Sequence, residues 1–230
     1  MALGTTLGYT FSNFRKKPNL ENSNVYNSTT MKSSSSPISL VNTMDTKPIM
    51  PFSADVVIYN SHSSEDYLCG TKITEVGALI NAKLMKEGLN SSFIKCTPVE
   101  DVKAYQSTRK LITQNVKAYA NTILLDIHRD VTTVANSNTK QIIFTLAKKN
   151  PHYEENIKFV NKLLENVEKE NGIKAKIFYY NTGVDYFNQD LSNNSVLIEI
   201  GNNMSSNSDI EACTSALDSD IKNTYKASSN

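Results

Sequence analysis

The apolar positions divide the chain into two parts. Residues 1–52 are rich in asparagine, serine and threonine, and their apolar side chains follow no sustained period. Such a composition buries too little apolar surface to offset the entropy of folding, so it predicts a disordered segment or a linker. From residue 53 onward, short apolar runs alternate with amphipathic segments. We therefore expect a folded domain over residues 53–226 and a short tail at 227–230.

Strands and helices are predicted to alternate within this domain. Six apolar runs predict buried strands, at 55–59, 92–96, 122–127, 141–147, 175–180 and 196–200. Four segments have helical spacing, at 73–89, 105–121, 151–172 and 207–225. This alternation predicts an α/β fold with a largely parallel central sheet and helices on both faces. The run at 141–147 is left open as an edge strand or an antiparallel strand.

Composition excludes several classes of protein. The formal net charge is +1, from 24 basic and 23 acidic side chains, which leaves no electrostatic footprint for nucleic acid. The three cysteines show no C-x-x-C spacing, so neither a disulfide framework nor a thiolate metal site is indicated. No apolar run reaches the roughly 18 to 20 residues that cross a bilayer, and the N-terminus lacks the pattern of a signal peptide.

Two predicted strands end in pairs of potential metal ligands. His62 and Glu65 form an H-x-x-E pair just after the strand at 55–59, and Asp126 and His128 end the run at 122–127. Imidazole and carboxylate both bind zinc, and a carboxylate such as Asp126 can orient a ligating histidine. Taken alone, each pair is better explained without a metal, by a solvated loop for the first and by a structural histidine for the second.

A third strand carries an acid inside its apolar run. Glu199 lies between two isoleucines, where burial would raise its pKa toward that of a general acid or base. A buried ion pair is the structural alternative. In open α/β sheets, sites form beyond the carboxyl ends of the strands. Together, the three segments offer His62, Glu65 and His128, which is the ligand set of a catalytic zinc, and one further acid.

An ordered series of motifs resembles a known family. Along residues 53–225 the sequence reads H-S-S-E-D-Y, E-V-G-A-L, Y-Q-S-T-R, D-I-H-R-D, N-P-H-Y-E-E-N, F-N-Q-D-L and V-L-I-E-I-G-N-N. In this order the motifs resemble the stage II sporulation protein P family, which are zinc-dependent N-acetylmuramoyl-L-alanine amidases of cell-wall remodelling. The resemblance implies a zinc amidase-like fold, with residues 53–226 as the catalytic domain.

The resemblance also implies a function and a place. Family members are peptidoglycan hydrolases that cut the amide between the lactyl group of N-acetylmuramic acid and L-alanine, and they are also credited with cutting peptide cross-links. They act outside the cytoplasmic membrane, at the septum during engulfment. They work with stage II sporulation protein D, which cleaves glycan strands, and with a membrane-anchored partner. No export signal or anchor is visible in this sequence.

The zinc ligands follow from the same match. His62 and His128 match the two ligating histidines, and Glu65 is the preferred third ligand because it matches the acid of the first motif. Glu75 is the rival, since related amidases take this carboxylate from the start of the helix that follows the first histidine. His152, at a predicted helix start, is left outside the site.

The last motif implies the catalytic acid, because Glu199 matches the catalytic glutamate of the family. Arg129 of D-I-H-R-D or Asn188 of F-N-Q-D-L is expected to donate to the oxyanion or to contact carboxylates of the peptide. The sequence departs from the family at Asn60, where a histidine is usual, and at Asn202, where a second glycine is usual. Two alternatives therefore stay open: a zinc carboxypeptidase-like peptidase, and a degenerate, non-catalytic relative that binds peptidoglycan.

Overall fold

A computed structural model describes residues 51–97, 101–134, 139–167, 172–181 and 185–228. The predicted linker lies outside these ranges except for its last two residues, and it stays a prediction. One of these two, Phe52, forms an isolated bridge with Val116. Within the described ranges, no helix combines the length and the apolar character needed to cross a membrane.

Six strands and four helices make up the described domain. The strands are β1 (Val56–Tyr59), β2 (Ser91–Ile94), β3 (Ile123–Asp130), β4 (Gln141–Ala147), β5 (Lys174–Tyr180) and β6 (Ser195–Asn202). The helices are α1 (Ile73–Lys86), α2 (Asp101–Asn115), α3 (Tyr153–Val167) and α4 (Asn207–Ser228). Each predicted strand and helix is therefore present, with shifts of a few residues at the ends.

The strands form one mixed sheet in the order β2-β1-β3-β6-β4-β5. Strands β2, β1, β3 and β6 run parallel, whereas β4 is antiparallel to β6 and parallel to β5. The prediction of a largely parallel sheet is confirmed. Strand β4 is the antiparallel element that the sequence left open, and it is not an edge strand because β5 pairs on its outer side.

Helices cover both faces of the sheet, as predicted. The larger apolar cluster joins one face to helices α1, α3 and α4, through buried side chains such as Ile80, Leu163 and Leu217. A smaller cluster joins the opposite face to α2 and the residues after it, through Ile112 and Val116. Because successive strand residues alternate between faces, Asp126 and His128 of β3 point to the side that α2 covers.

Pairing between parallel strands brings the chemical groups together. Tyr59 of β1 lies beside Asp126 of β3, and His128 of β3 lies beside Glu199 of β6. Paired residues of neighbouring strands project to the same side of a sheet. The register therefore places the polar side chains near the carboxyl ends of β1, β3 and β6 close together, on the face of the sheet that α2 covers.

Candidate active site

The turn after β1 is fixed to the neighbouring strands. The Glu65 amide donates to the His62 carbonyl oxygen over 3.3 Å, which closes the turn. The Tyr67 hydroxyl donates to the Ile200 carbonyl oxygen over 2.7 Å, and Arg129 Nε donates to the Asp66 carbonyl oxygen over 2.7 Å. These bonds hold the turn over the carboxyl ends of β3 and β6.

Three side chains converge beneath this turn. Single ligand atoms of His62, Glu65 and His128 lie within 4.8 Å of one another. Glu65 Oε1 is 3.7 Å from His62 Nδ1, and Glu65 Oε2 is 3.1 Å from His128 Nδ1. We call these three residues the His-Glu-His cluster. Glu65 bridges the two imidazoles, so a cation held by all three would meet two nitrogens and a carboxylate.

The far side of the His128 ring is held by two polar side chains. His128 Nε2 lies 2.9 Å from Ser61 Oγ and 3.0 Å from an Asp126 carboxylate oxygen. Ser61 also donates to Asp126 twice, from its amide over 2.9 Å and from its hydroxyl over 2.7 Å. The ring orientation is thereby fixed, with Nδ1 left toward Glu65.

The charges around His128 favour a bound cation. Burial alone lowers the pKa of His128, but the Asp126 and Glu65 carboxylates outweigh it and raise that pKa well above its ordinary value. Two carboxylates therefore contact one buried imidazole, and a neutral imidazole carries no charge to offset theirs. A proton on His128 partly offsets that charge, and a divalent cation would offset more of it.

The chemistry of the cluster fits zinc. Among the described residues, Glu65 Oε1 is buried and accepts no hydrogen bond. A buried carboxylate oxygen without a donor is costly, and a coordinated cation would satisfy it. Two imidazoles and one carboxylate are the protein ligands of many catalytic zinc sites that keep one position open.

Glu199 stands beside the cluster, opposite His128 in the strand pairing, and its pKa is raised. Burial, followed by repulsion from the Asp130 carboxylate, raises the pKa of Glu199 to about 8. Asp130 itself is held by its contacts, because its carboxylate accepts bonds from the Val131 amide over 2.7 Å and from Gln141 Nε2 over 3.1 Å. Burial also raises the pKa of Asp130, and the bonds from Val131 and Gln141 oppose that rise. The pKa of Glu199 lies near neutral pH, where a carboxyl can exchange a proton.

Other residues that the sequence singled out lie in different contacts. Glu75 is exposed, and its carboxylate accepts the Lys72 amide over 3.0 Å at the start of α1. Asn188 donates its side-chain amide to the Tyr105 carbonyl oxygen over 3.1 Å. His152 Nδ1 contacts Asn193 Oδ1, away from the His-Glu-His cluster. The structure thus brings together His62, Glu65, His128 and Glu199, and leaves these three residues outside.

The two departures from the family pattern do not fall on the cluster. Asn60 is buried and donates to the carbonyl oxygens of Ile73 and Ile127, over 3.3 and 2.7 Å. Near Glu199, the retained Gly201 has φ of +60°, and a Cβ there would lie 2.2 Å from Ser205 Oγ. The glycine that the backbone requires is therefore present, while the lost one is replaced by a buried Asn202.

Sequence reasoning missed Ser61 and the contact made by Tyr105. Ser61 follows Tyr59 at a spacing of two, which places both on the face of Asp126 once the β1–β3 pairing is known. The Tyr105 ring meets the His62 ring edge-on, with centroids 5.0 Å apart. Burial, followed by the Asp126 and Glu65 carboxylates, raises the pKa of Tyr105 well above its ordinary value, so its hydroxyl stays neutral.

The fold is shared with solved amidases. The catalytic domain of CwlV, an N-acetylmuramoyl-L-alanine amidase from Bacillus (Paenibacillus) polymyxa var. colistinus, superposes with a TM-score of 0.50 at 13% identity. That match covers 74% of this chain and 97% of the other. The CwlD amidase from Clostridioides difficile, solved in complex with the GerS lipoprotein, gives a TM-score of 0.49 at 16% identity over 75% and 99% of the two chains. The domain has the zinc amidase fold.

The family follows from the sequence. The sequence model of stage II sporulation protein P (SpoIIP) matches residues 10–221. The chain belongs to the stage II sporulation protein P family, as its motifs suggested. A search of curated proteins found no match.

Proposed function

We propose that this protein is a zinc-dependent N-acetylmuramoyl-L-alanine amidase that cuts peptidoglycan. The observation that carries the proposal is the convergence of His62, Glu65 and His128 within 4.8 Å, beside the acid Glu199. Membership of the sporulation family and the amidase fold support the same substrate.

The His-Glu-His cluster would hold the metal. Bound zinc supplies an activated water and polarises the scissile amide carbonyl. Ser61 and Asp126 keep the His128 ring in one orientation, so that Nδ1 faces Glu65. The turn that carries His62 and Glu65 is held down by Arg129, which also remains our proposed donor to the oxyanion.

Glu199 would move the proton. As an ionised base it accepts a proton from the attacking water, and as an acid it delivers that proton to the leaving amine of L-alanine. Its pKa of about 8 arises because burial and the Asp130 carboxylate outweigh the opposing charges of His128 and Lys176. A cation held by the neighbouring cluster would stabilise the ionised form of Glu199 and lower this pKa toward the working range of a base.

The place and partners of the reaction are proposed from family membership. Peptidoglycan lies outside the cytoplasmic membrane, so we place the activity there, at the septum during sporulation. A glycan-cleaving enzyme like stage II sporulation protein D is the proposed partner, because amidase and glycan cleavage together release wall fragments. Cleavage of peptide cross-links is proposed as a second activity of the same site.

Purified cell wall provides the test. We expect the wild-type chain to free the carboxyl of the lactyl group on muramic acid and the amino terminus of L-alanine, as read by mass analysis of the products. His128→Ala should lose zinc and turnover. Glu199→Gln should keep zinc but lose about 10²-fold or more in turnover, because it cannot transfer the proton.

His152→Ala is the matched control, because this histidine contacts Asn193 rather than the cluster. It should keep both zinc and turnover. Release of terminal amino acids, with the lactyl–alanine amide left intact, would indicate a carboxypeptidase-like peptidase. Wall binding and zinc without cleavage would indicate a non-catalytic relative. Unchanged turnover in Glu199→Gln would contradict the role assigned to Glu199.

A further inference from the structure

Three aromatic rings, those of Tyr105, Phe187 and Tyr180, form an aromatic wall beside the His-Glu-His cluster on the side of α2. Tyr105, near the start of α2, packs edge-on against His62 with an interplanar angle of 74°. His62 in turn packs edge-on against His128, with ring centroids 5.2 Å apart. The His62 ring is thus placed between Tyr105 and the second histidine of the cluster.

Tyr105 is itself held by the F-N-Q-D-L motif, residues 187–191, which the proposed function does not use. The Phe187 ring lies 5.2 Å from the Tyr105 ring and 4.8 Å from the Tyr180 ring. Asn188 donates to the Tyr105 carbonyl oxygen over 3.1 Å. The motif therefore contacts both the ring and the backbone of Tyr105.

The backbone of the motif is strained where it makes these contacts. Phe187 and Asn188 have φ of +52° and +59°. Asparagine tolerates this left-handed region, but a phenylalanine there is held at a cost of order 1 kcal/mol or more. Such strain persists only where the surrounding structure fixes it. In this backbone conformation the Phe187 ring lies between the Tyr105 and Tyr180 rings.

The rest of the motif ties the wall to the sheet and to α2. Gln189 is fully buried and bonds to the end of β4 on both sides, accepting from the Ala147 amide over 3.0 Å and donating to the Thr145 carbonyl oxygen over 2.8 Å. Asp190 accepts two bonds of 2.8 Å from the Arg109 guanidinium on α2. Paired bonds of this kind fix geometry as well as distance.

We propose that Tyr105 is a positioning residue that holds the His62 ring for metal binding, and that the F-N-Q-D-L motif holds Tyr105. This inference deepens the proposed function and rests on it. His62 lies on a turn and is half-buried, so its ring would lose rotational freedom on binding a metal. A wall that already restricts the ring lowers that cost.

Variants of the full chain separate the ring contact from the hydroxyl. Tyr105→Leu removes the aromatic edge, Tyr105→Phe keeps it, and Asn188→Gly keeps the left-handed backbone but removes the donor to Tyr105. Zinc affinity is measured by competition with a chromophoric chelator. Histidine ring signals are recorded by ¹H–¹⁵N NMR without metal. We expect about a tenfold weaker zinc affinity in Tyr105→Leu, a change within about twofold in Tyr105→Phe, and altered His62 ring signals in both Tyr105→Leu and Asn188→Gly.

Tyr153→Leu is the matched control, since this tyrosine packs against the larger apolar cluster on the other face of the sheet. It should change neither reading. Zinc affinity and His62 signals that stay unchanged in Tyr105→Leu would overturn the proposal, as would an equal loss in Tyr105→Phe. If Tyr105→Leu does not fold, unchanged His62 signals in Asn188→Gly overturn it.

Because the signals are read without metal, a wild-type chain that binds no zinc counts against the proposed function and leaves the positioning role measurable.

Discussion

At the scale of single residues, partners decide what each buried charge in this site can do. Asp126 is fully buried and has Ser61 and His128 as partners, so it holds the His128 ring in place. Glu199 is half-buried beside another acid, and its pKa is raised to about 8. The two carboxylates stand on neighbouring strands, yet one orients a histidine and the other is suited to proton transfer.

The raised pKa of Glu199 predicts a pH-dependent stability for the metal-free protein. In the unfolded chain this carboxyl loses its proton near pH 4.5, whereas in the folded chain it keeps the proton up to about pH 8. Between these values the unfolded state binds fewer protons, so its contribution destabilises the fold as the pH rises. Glu199→Gln stays neutral and should be more stable than wild type at pH 8, by on the order of 1 kcal/mol, with little difference at pH 4.5.

Chemical denaturation with a chelator present measures this difference at the two pH values. The comparison between variant and wild type cancels the titration of the remaining groups. Equal differences at both pH values would show that Glu199 ionises normally in the folded protein.

Ser61 predicts a second effect at the scale of a residue. Ser61→Ala removes the hydroxyl that joins Asp126 to His128, so the His128 ring is less well oriented. We expect zinc affinity to fall about tenfold, as for other groups that orient a metal ligand. Ser63→Ala is the control, because the Ser63 hydroxyl is buried and makes no hydrogen bond among the described residues. Zinc competition should show no loss there, and a fall of similar size in both variants would contradict the role of Ser61.

At the scale of elements, close packing between α1 and the sheet positions the turn that carries His62 and Glu65. Strand alternation and helical spacing predicted the existence of both elements from sequence. The short distance between α1 and the sheet could not be predicted, because it depends on which residue of the helix faces the strands. Gly77 of the E-V-G-A-L motif is that residue. A Cβ added there would lie 2.6 Å from Phe93 Cε2 and 2.9 Å from Asn60 Oδ1.

Gly77→Ala should therefore destabilise the protein although alanine is the better helix former. The added methyl group must displace the Phe93 ring or the buried Asn60, and overpacking of this kind costs about 1–3 kcal/mol. Denaturant unfolding measures the change. Ala82→Gly at an exposed position of α1 gives the helix-propensity effect alone, about 1 kcal/mol. Combining Gly77→Ala with Phe93→Leu should recover part of the stability, and a stabilising Gly77→Ala would contradict the close packing.

At the scale of the whole molecule, the site joins segments that are distant in the sequence. The alternation of strands and helices was sufficient to predict the largely parallel sheet, since buried parallel strands are apolar throughout. It was also sufficient to direct attention to His62, His128 and Glu199, each near a strand end. It could not decide between Glu65 and Glu75, because both lie close to His62 in sequence. Only the turn geometry separates them, with Glu65 beneath the turn and Glu75 on the exposed start of α1.

Zinc should therefore stabilise the whole domain through Glu65 and not through Glu75. A ligand that binds only the folded state at about 100 times its Kd adds about 2.7 kcal/mol, which for a chain of this size raises Tm by roughly 5–10 °C. We expect this rise in the wild-type chain when zinc replaces chelator. Glu65→Gln should abolish most of it, because an amide oxygen carries no charge toward the metal. Glu75→Gln should retain it, because glutamine can still accept the Lys72 amide at the start of α1. Thermal unfolding of the three chains with and without zinc measures both, and a rise lost in Glu75→Gln but kept in Glu65→Gln would move the third ligand to the helix.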